Sequence, residues 1–163
     1  MGAGRVDLTK AGRAGLILDE TFPNYLAADP AMGGDPRTLN IPSMQDSDYN
    51  GVCSWTRPVE SPLTSPVTWT ASTSGPSWMD LRVLPASFAI TGGATHEIGF
   101  TVVVLTGAPL GSFDFRAVTL TPDDPRIPET RFPIAIIPTD LGEEIFADGF
   151  DLGDTSAWSS TVP

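Results

Sequence analysis

The chain has 163 residues, 40% hydrophobic and 18% charged, a composition that supports a packed core and argues against a disordered polymer. Its formal net charge is -11 and Lys10 is the only lysine, so it repels phosphate backbones and offers no basic face to an anionic membrane. Cys53 is the only cysteine, which excludes an intrachain disulfide and a cysteine metal cluster. The longest apolar run, around Val102 to Leu105, is far below the roughly 18 to 20 residues of a membrane-spanning helix.

Three zones separate along the chain. In residues 1–38, Val6, Leu8, Ala11, Ala14 and Leu16 recur at about helical spacing. The pattern predicts a short helix over Lys10 to Ala14, capped by Thr9 and stopped by Gly15. One helical turn cannot bury an apolar face alone, so the segment reads as the edge of another domain. Met1 is followed by a glycine-rich, polar opening and not by a basic and then apolar leader. The expectation is either a cytosolic chain or one whose N-terminal part is missing, and the orphaned helical turn favours the second.

Residues 39–138 carry short β-rich runs about ten residues apart. Val67, Trp69 and Ala71 alternate with threonines, and Met79, Leu81 and Val83 alternate with Asp80, Arg82 and Leu84. Ile98, Phe100, Val102 and Val104 mark the longest run, while Phe132, Ile134 and Ile136 mark the last. Cys53, Trp55, Arg57 and Val59 form one further alternating set. Period-two alternation places each set on one face of a strand, as two packed sheets require. The 16 prolines and 16 glycines follow no repeat and serve the turns, notably Ser74-Gly75-Pro76, Gly92-Gly93 and Pro122-Asp123-Asp124-Pro125. Pro133 predicts a strand at a sheet edge or one whose N–H side is unpaired there. Between Phe113 and Leu120 the phase slips, which calls for a bulge or for burial on both faces. The fold class is therefore all-β, a sandwich of about seven strands.

Residues 139–163 are acidic and rich in small residues. Asp148, Asp151 and Asp154 recur at a spacing of three, with Gly149 and Gly153 between them. Calcium favours carboxylates in a glycine-flexed loop, but the pattern lacks the spacing and distal glutamate of an EF-hand, and a solvated acidic tail is the simpler reading.

Two segments carry a family resemblance. Gly2 to Leu18 resembles the end of the subtilisin-like catalytic domain, where a Gly-x-Gly-x-Val-Asp stretch and an alanine-rich helix close the protease fold. Asp35 to Met44, DPRTLNIPSM, resembles the opening of the fibronectin type III-like domain that follows the protease in many large subtilases. Arg57 with Val59, the run Leu81, Val83, Pro85, Phe88 and Ile90, and Arg131 to Ala135 follow in matching order. The resemblance implies a fibronectin type III-like sandwich belonging to a secreted or cell-surface serine endopeptidase. It implies docking on the parent's own catalytic domain, with protein substrates as further partners. The Gly-Thr-Ser-Met-Ala motif that bears the family's nucleophile is absent, so no catalytic, cofactor-binding or metal residue is carried over. Relatives often hold a second cysteine shortly before the position of Cys53; here Asp48, Tyr49 and Asn50 stand there, which makes Cys53 a buried filler. The tail string Asp148 to Trp158 resembles a terminal motif of secreted proteins from Gram-negative bacteria and supports export.

Rival chemistry is thin. His96 is the only histidine, so any histidine-based triad must include it, and a strand-end role is simpler. A reactive Cys53 would need an electropositive setting, and this chain is acidic. Exposed tryptophans could stack sugars, which makes a stand-alone carbohydrate- or protein-binding module the alternative function. Trp55 and Trp69 are in phase with core positions, leaving Trp78 and Trp158 as the candidates.

Overall fold

The structure, a computed structural model, describes residues 7–49, 51–105 and 107–139. The acidic triplet Asp148, Asp151 and Asp154, and Trp158, lie outside the described residues. Among the described residues, eight strands form two sheets: β1 (Met44–Tyr49), β2 (Val52–Glu60), β3 (Val67–Ser74), β4 (Met79–Leu84), β5 (Ser87–Ile90), β6 (Thr95–Val104), β7 (Asp114–Pro122) and β8 (Thr130–Pro138). One sheet has the order β1-β8-β7-β3-β5 and the other β2-β6-β4. Pairing is antiparallel except for β1 with β8, which run parallel.

The predicted alternation is the alternation of burial. Val67 and Trp69, then Met79, Leu81 and Val83, then Ile98 to Val104 at every second position, then Phe132, Ile134 and Ile136 all face one shared core. Phe100 and Phe132 meet across it with ring centroids 5.2 Å apart. The turns use glycine where expected: Gly75 and Gly93 adopt φ of 146° and 74°, which favour a residue without Cβ.

One local expectation is corrected, and two that the sequence left open between alternatives are decided. The N-terminal helix α1 spans Leu8–Ala11 and is capped by Asp7, whose carboxylate accepts from the Thr9 and Lys10 amides; it ends at Gly12. A carboxylate two residues upstream caps at least as well as the Thr9 hydroxyl, and so the helix starts earlier. Pro133 lies not on an edge strand but in β8, flanked by β1 and β7. It pairs with Ala117 one position before the β1 ladder begins at Ile134. The phase slip in β7 is not a bulge, because its register with β3 and with β8 runs unbroken. Ala117 and Val118 are both buried, and Phe113 and Phe115 are left on the outer surface.

Candidate functional site

The N-terminal segment is fastened to the sandwich after α1. Gly15 and Leu16 are buried, and Leu16 joins the core. A Cβ on Gly15 would come within 2.7 Å of Ile127 Cγ2 and 2.8 Å of the Trp69 ring, so the backbone needs a glycine to pass. Ile17 and Glu60 then exchange two backbone hydrogen bonds of 2.8 and 2.9 Å. Asn40 Nδ2 donates to the carbonyls of Asp19 and Pro58 at 3.1 and 2.9 Å, clamping both ends of the segment onto β2.

Beyond these clamps the segment turns outward. Helix α2 (Phe22–Ala27) is capped by Thr21 and, like α1, buries none of its own residues. Phe22, Leu26 and Met32 are 73%, 59% and 83% exposed, and Leu8 and Tyr25 are also open to solvent. An amphipathic element normally turns such residues inward, so this surface lacks its cover among the described residues.

Glu20 anchors the outward loop. Its carboxylate accepts from the Asn40 amide, Asn24 Nδ2 and the Thr21 amide, which hold its pKa below the ordinary 4.5, the Asn40 amide contributing most. A depressed carboxylate stabilises the fold above its unfolded pKa and loses that contribution as pH falls through the folded value. The Asn40 amide resonance is therefore expected to titrate with a midpoint below 4.5 and to become pH-independent in Glu20→Gln, as NMR would report.

A cleft of about 490 Å³ opens where β1 and β2 adjoin, lined in part by Asp35, Arg37, Asp46, Cys53 and Arg57. Its charges are mutually satisfied. Arg37 bridges Asp35 and Asp46 at 2.9 Å each. Arg57, only 1% exposed, donates Nε to the Ile41 carbonyl at 2.8 Å, and Nη1 to the Thr56 and Arg37 carbonyls at 3.0 and 3.4 Å. Burial lowers the Arg57 pKa, opposed by the field of Glu20. The guanidinium thus serves as a staple between β2 and residues 37–41, which hydropathy alone does not foretell.

Cys53 is half-buried and packs against the core, as expected of a filler. Burial first, and the Asp46 charge second, push its thiol up to about 12, against a smaller opposing pull from Arg37. At pH 8 only about one thiol in 10⁴ would be ionised, and the thiolate is the nucleophile. Alkylation by iodoacetamide at that pH is expected to be at least a hundredfold slower in the folded chain than in urea, as mass spectrometry would follow.

His96 lies at the start of β6 and is half-buried. Its ring stacks on Phe88 of the opposite sheet, with centroids 4.3 Å apart and planes 7° apart. Nε2 is buried without a hydrogen-bond partner among the described residues, and none of their serines or carboxylates engages that nitrogen. The residue closes one end of the core. Trp55 and Trp69 are buried as expected, whereas Trp78 is half-buried and packs on the core. On the sandwich itself, Phe113 and Phe115 form an exposed, stacked aromatic pair at the start of β7, with centroids 6.2 Å apart. The phase slip in the sequence was the signal for it.

No helix among the described residues is long and apolar enough to cross a membrane. No family model matches the chain, and no curated protein matches it. Among solved structures, the chain is similar to the ASH/PapD-like domain 7 of human CEP192, with 16% identity over 61% of this chain and 82% of that one, at a TM-score of 0.46. It is also similar to the E. coli chaperone DraB, with 11% identity over 64% of this chain and 55% of that one, at a TM-score of 0.46. A family 123 glycoside hydrolase from Clostridium perfringens matches with 12% identity over 61% of this chain and 23% of its own, at a TM-score of 0.48.

Proposed function

We propose that this chain is the non-catalytic C-terminal part of a secreted subtilisin-like serine endopeptidase, its sandwich being a fibronectin type III-like accessory domain that docks on and stabilises the protease domain. The observation that carries this reading is the uncovered apolar surface of the N-terminal segment. Phe22, Tyr25, Leu26 and Met32 are all exposed. They belong to the stretch between the two segments that resemble the end of a subtilase domain and the start of its follower. Burying a large apolar side chain contributes about 1.5 to 3 kcal/mol, so covering several of them is enough to hold two domains in fixed contact.

The test is calorimetric titration of the full chain with the catalytic domain of a subtilisin-like parent, its nucleophilic serine replaced by alanine. The expected result is saturable one-to-one binding, weakened at least tenfold by Phe22→Ser with Leu26→Ser and Met32→Ser. Absence of binding, or cleavage of casein by the chain alone, would overturn the accessory role.

A further inference from the structure

The outer surface of the five-stranded sheet carries a groove of about 490 Å³ over β1, β8 and β7. Phe113, Phe115, Pro133 and Ala135 form its apolar floor, and Arg131 and Arg116 line its sides. Among the described residues no carboxylate lines it, which is notable in a chain of formal charge -11. Arg131 is exposed and forms no ion pair among the described residues. The site is therefore built for an occupant that is both apolar and negatively charged.

The chain itself contains such an occupant. Residues 140–163 include six carboxylates and no basic residue, interleaved with Ile145, Phe146, Phe150 and Trp158. They begin where β8 ends, beside the groove. The Gly111 amide donates to the Pro138 carbonyl at 2.8 Å, and Asp114 pairs with Ile136, so the chain leaves the sheet next to Phe113. At about 3.3 Å per residue, the strip from Arg131 to Pro138 is covered by roughly eight residues of extended chain, well within the 24 available.

We infer that the groove beside Phe113 and Phe115 is an intramolecular docking site for the acidic, aromatic C-terminal segment of the same chain. Apolar contact with the phenylalanines sets the position, and Arg131 selects for the carboxylates. Such binding is internal and of high effective concentration, so weak contacts suffice to occupy it. The inference is independent of the protease reading, since it uses only this sheet face and this tail.

The test places a nitroxide at Thr161→Cys in a Cys53→Ala background and reads relaxation of backbone amides in the full-length, ¹⁵N-labelled chain. The amides of Phe115, Arg131 and Ala135 are expected to lose at least half their intensity relative to the reduced label. Phe115→Ser with Arg131→Glu, both on the surface, should restore it, as should about 0.5 M salt in part. Unperturbed groove amides would overturn the proposal. So would equal broadening of these amides in a mixture of spin-labelled ¹⁴N chain and unlabelled ¹⁵N chain, which would make the occupant a second copy.

Discussion

Replacing Trp69 with alanine is expected to destabilise the chain by about 4 kcal/mol, near the upper range for a buried aromatic. The indole is fully buried in β3, registered with Phe88 of β5 on one side and Pro122 of β7 on the other. It also forms the surface against which Gly15 passes, so its loss opens a cavity and frees the clamp on residues 15–18. A domain of this size has a total stability of about 5 to 15 kcal/mol, and the midpoint of thermal unfolding should fall by about 15 °C. Trp69→Phe is a sharper comparison. Trp69 Nε1 is buried with no hydrogen-bond partner among the described residues. Phenylalanine removes that unpaired donor along with some volume, so the two effects oppose and the loss should be near 1 kcal/mol. Urea titration of both variants, with unchanged m-values, checks this; a Trp69→Ala loss below about 1.5 kcal/mol would mean that the indole is not part of a packed core.

The second large effect is expected at Arg57. Arg57→Ala should cost about 3 kcal/mol, because it leaves a cavity and strands the carbonyls of Ile41 and Arg37 without their donor. Arg57→Met should recover roughly half of that loss. It refills the space along the stem and removes the desolvation penalty of a buried guanidinium, but it donates nothing. Hydrogen exchange should then show faster opening of residues 37–41 in both variants, with strands β6 and β7 unaffected except through global stability. If Arg57→Met were as stable as the parent chain, the guanidinium would be mere packing and the staple would not exist.

These two residues also mark how far the sequence could be read. Trp69 is placed by alternation alone, because threonines flank it on both sides, at 68 and 70, and the strand buries one face. Arg57 was found in phase with Trp55 and Val59, yet hydropathy gives no reason for an arginine at a core position. That reason is the set of carbonyls brought to it by residues 37–41, sixteen to twenty positions away in the chain. Strand β1 was not legible at all. Its inward residues are Met44 and Asp46, and Asp46 is tolerated there because Arg37 bridges it. The candidate surfaces were legible only as anomalies: a helical turn with nothing to bury its face, and a β7 whose phase did not close.

What the sequence determines by itself is local and periodic. Side chains alternate across a strand, glycine permits positive φ, and a single cysteine cannot form an intrachain disulfide; these follow from covalent geometry and composition, and they sufficed for an all-β sandwich and for most of its core. What only the tertiary structure decides is where those faces meet. It places β8 inside a sheet despite Pro133, seats His96 on Phe88, leaves Phe113 and Phe115 outside, and leaves the N-terminal apolar residues uncovered. Each of these depends on contacts between segments far apart in the chain, and no local pattern carries information about a partner that arrives from elsewhere.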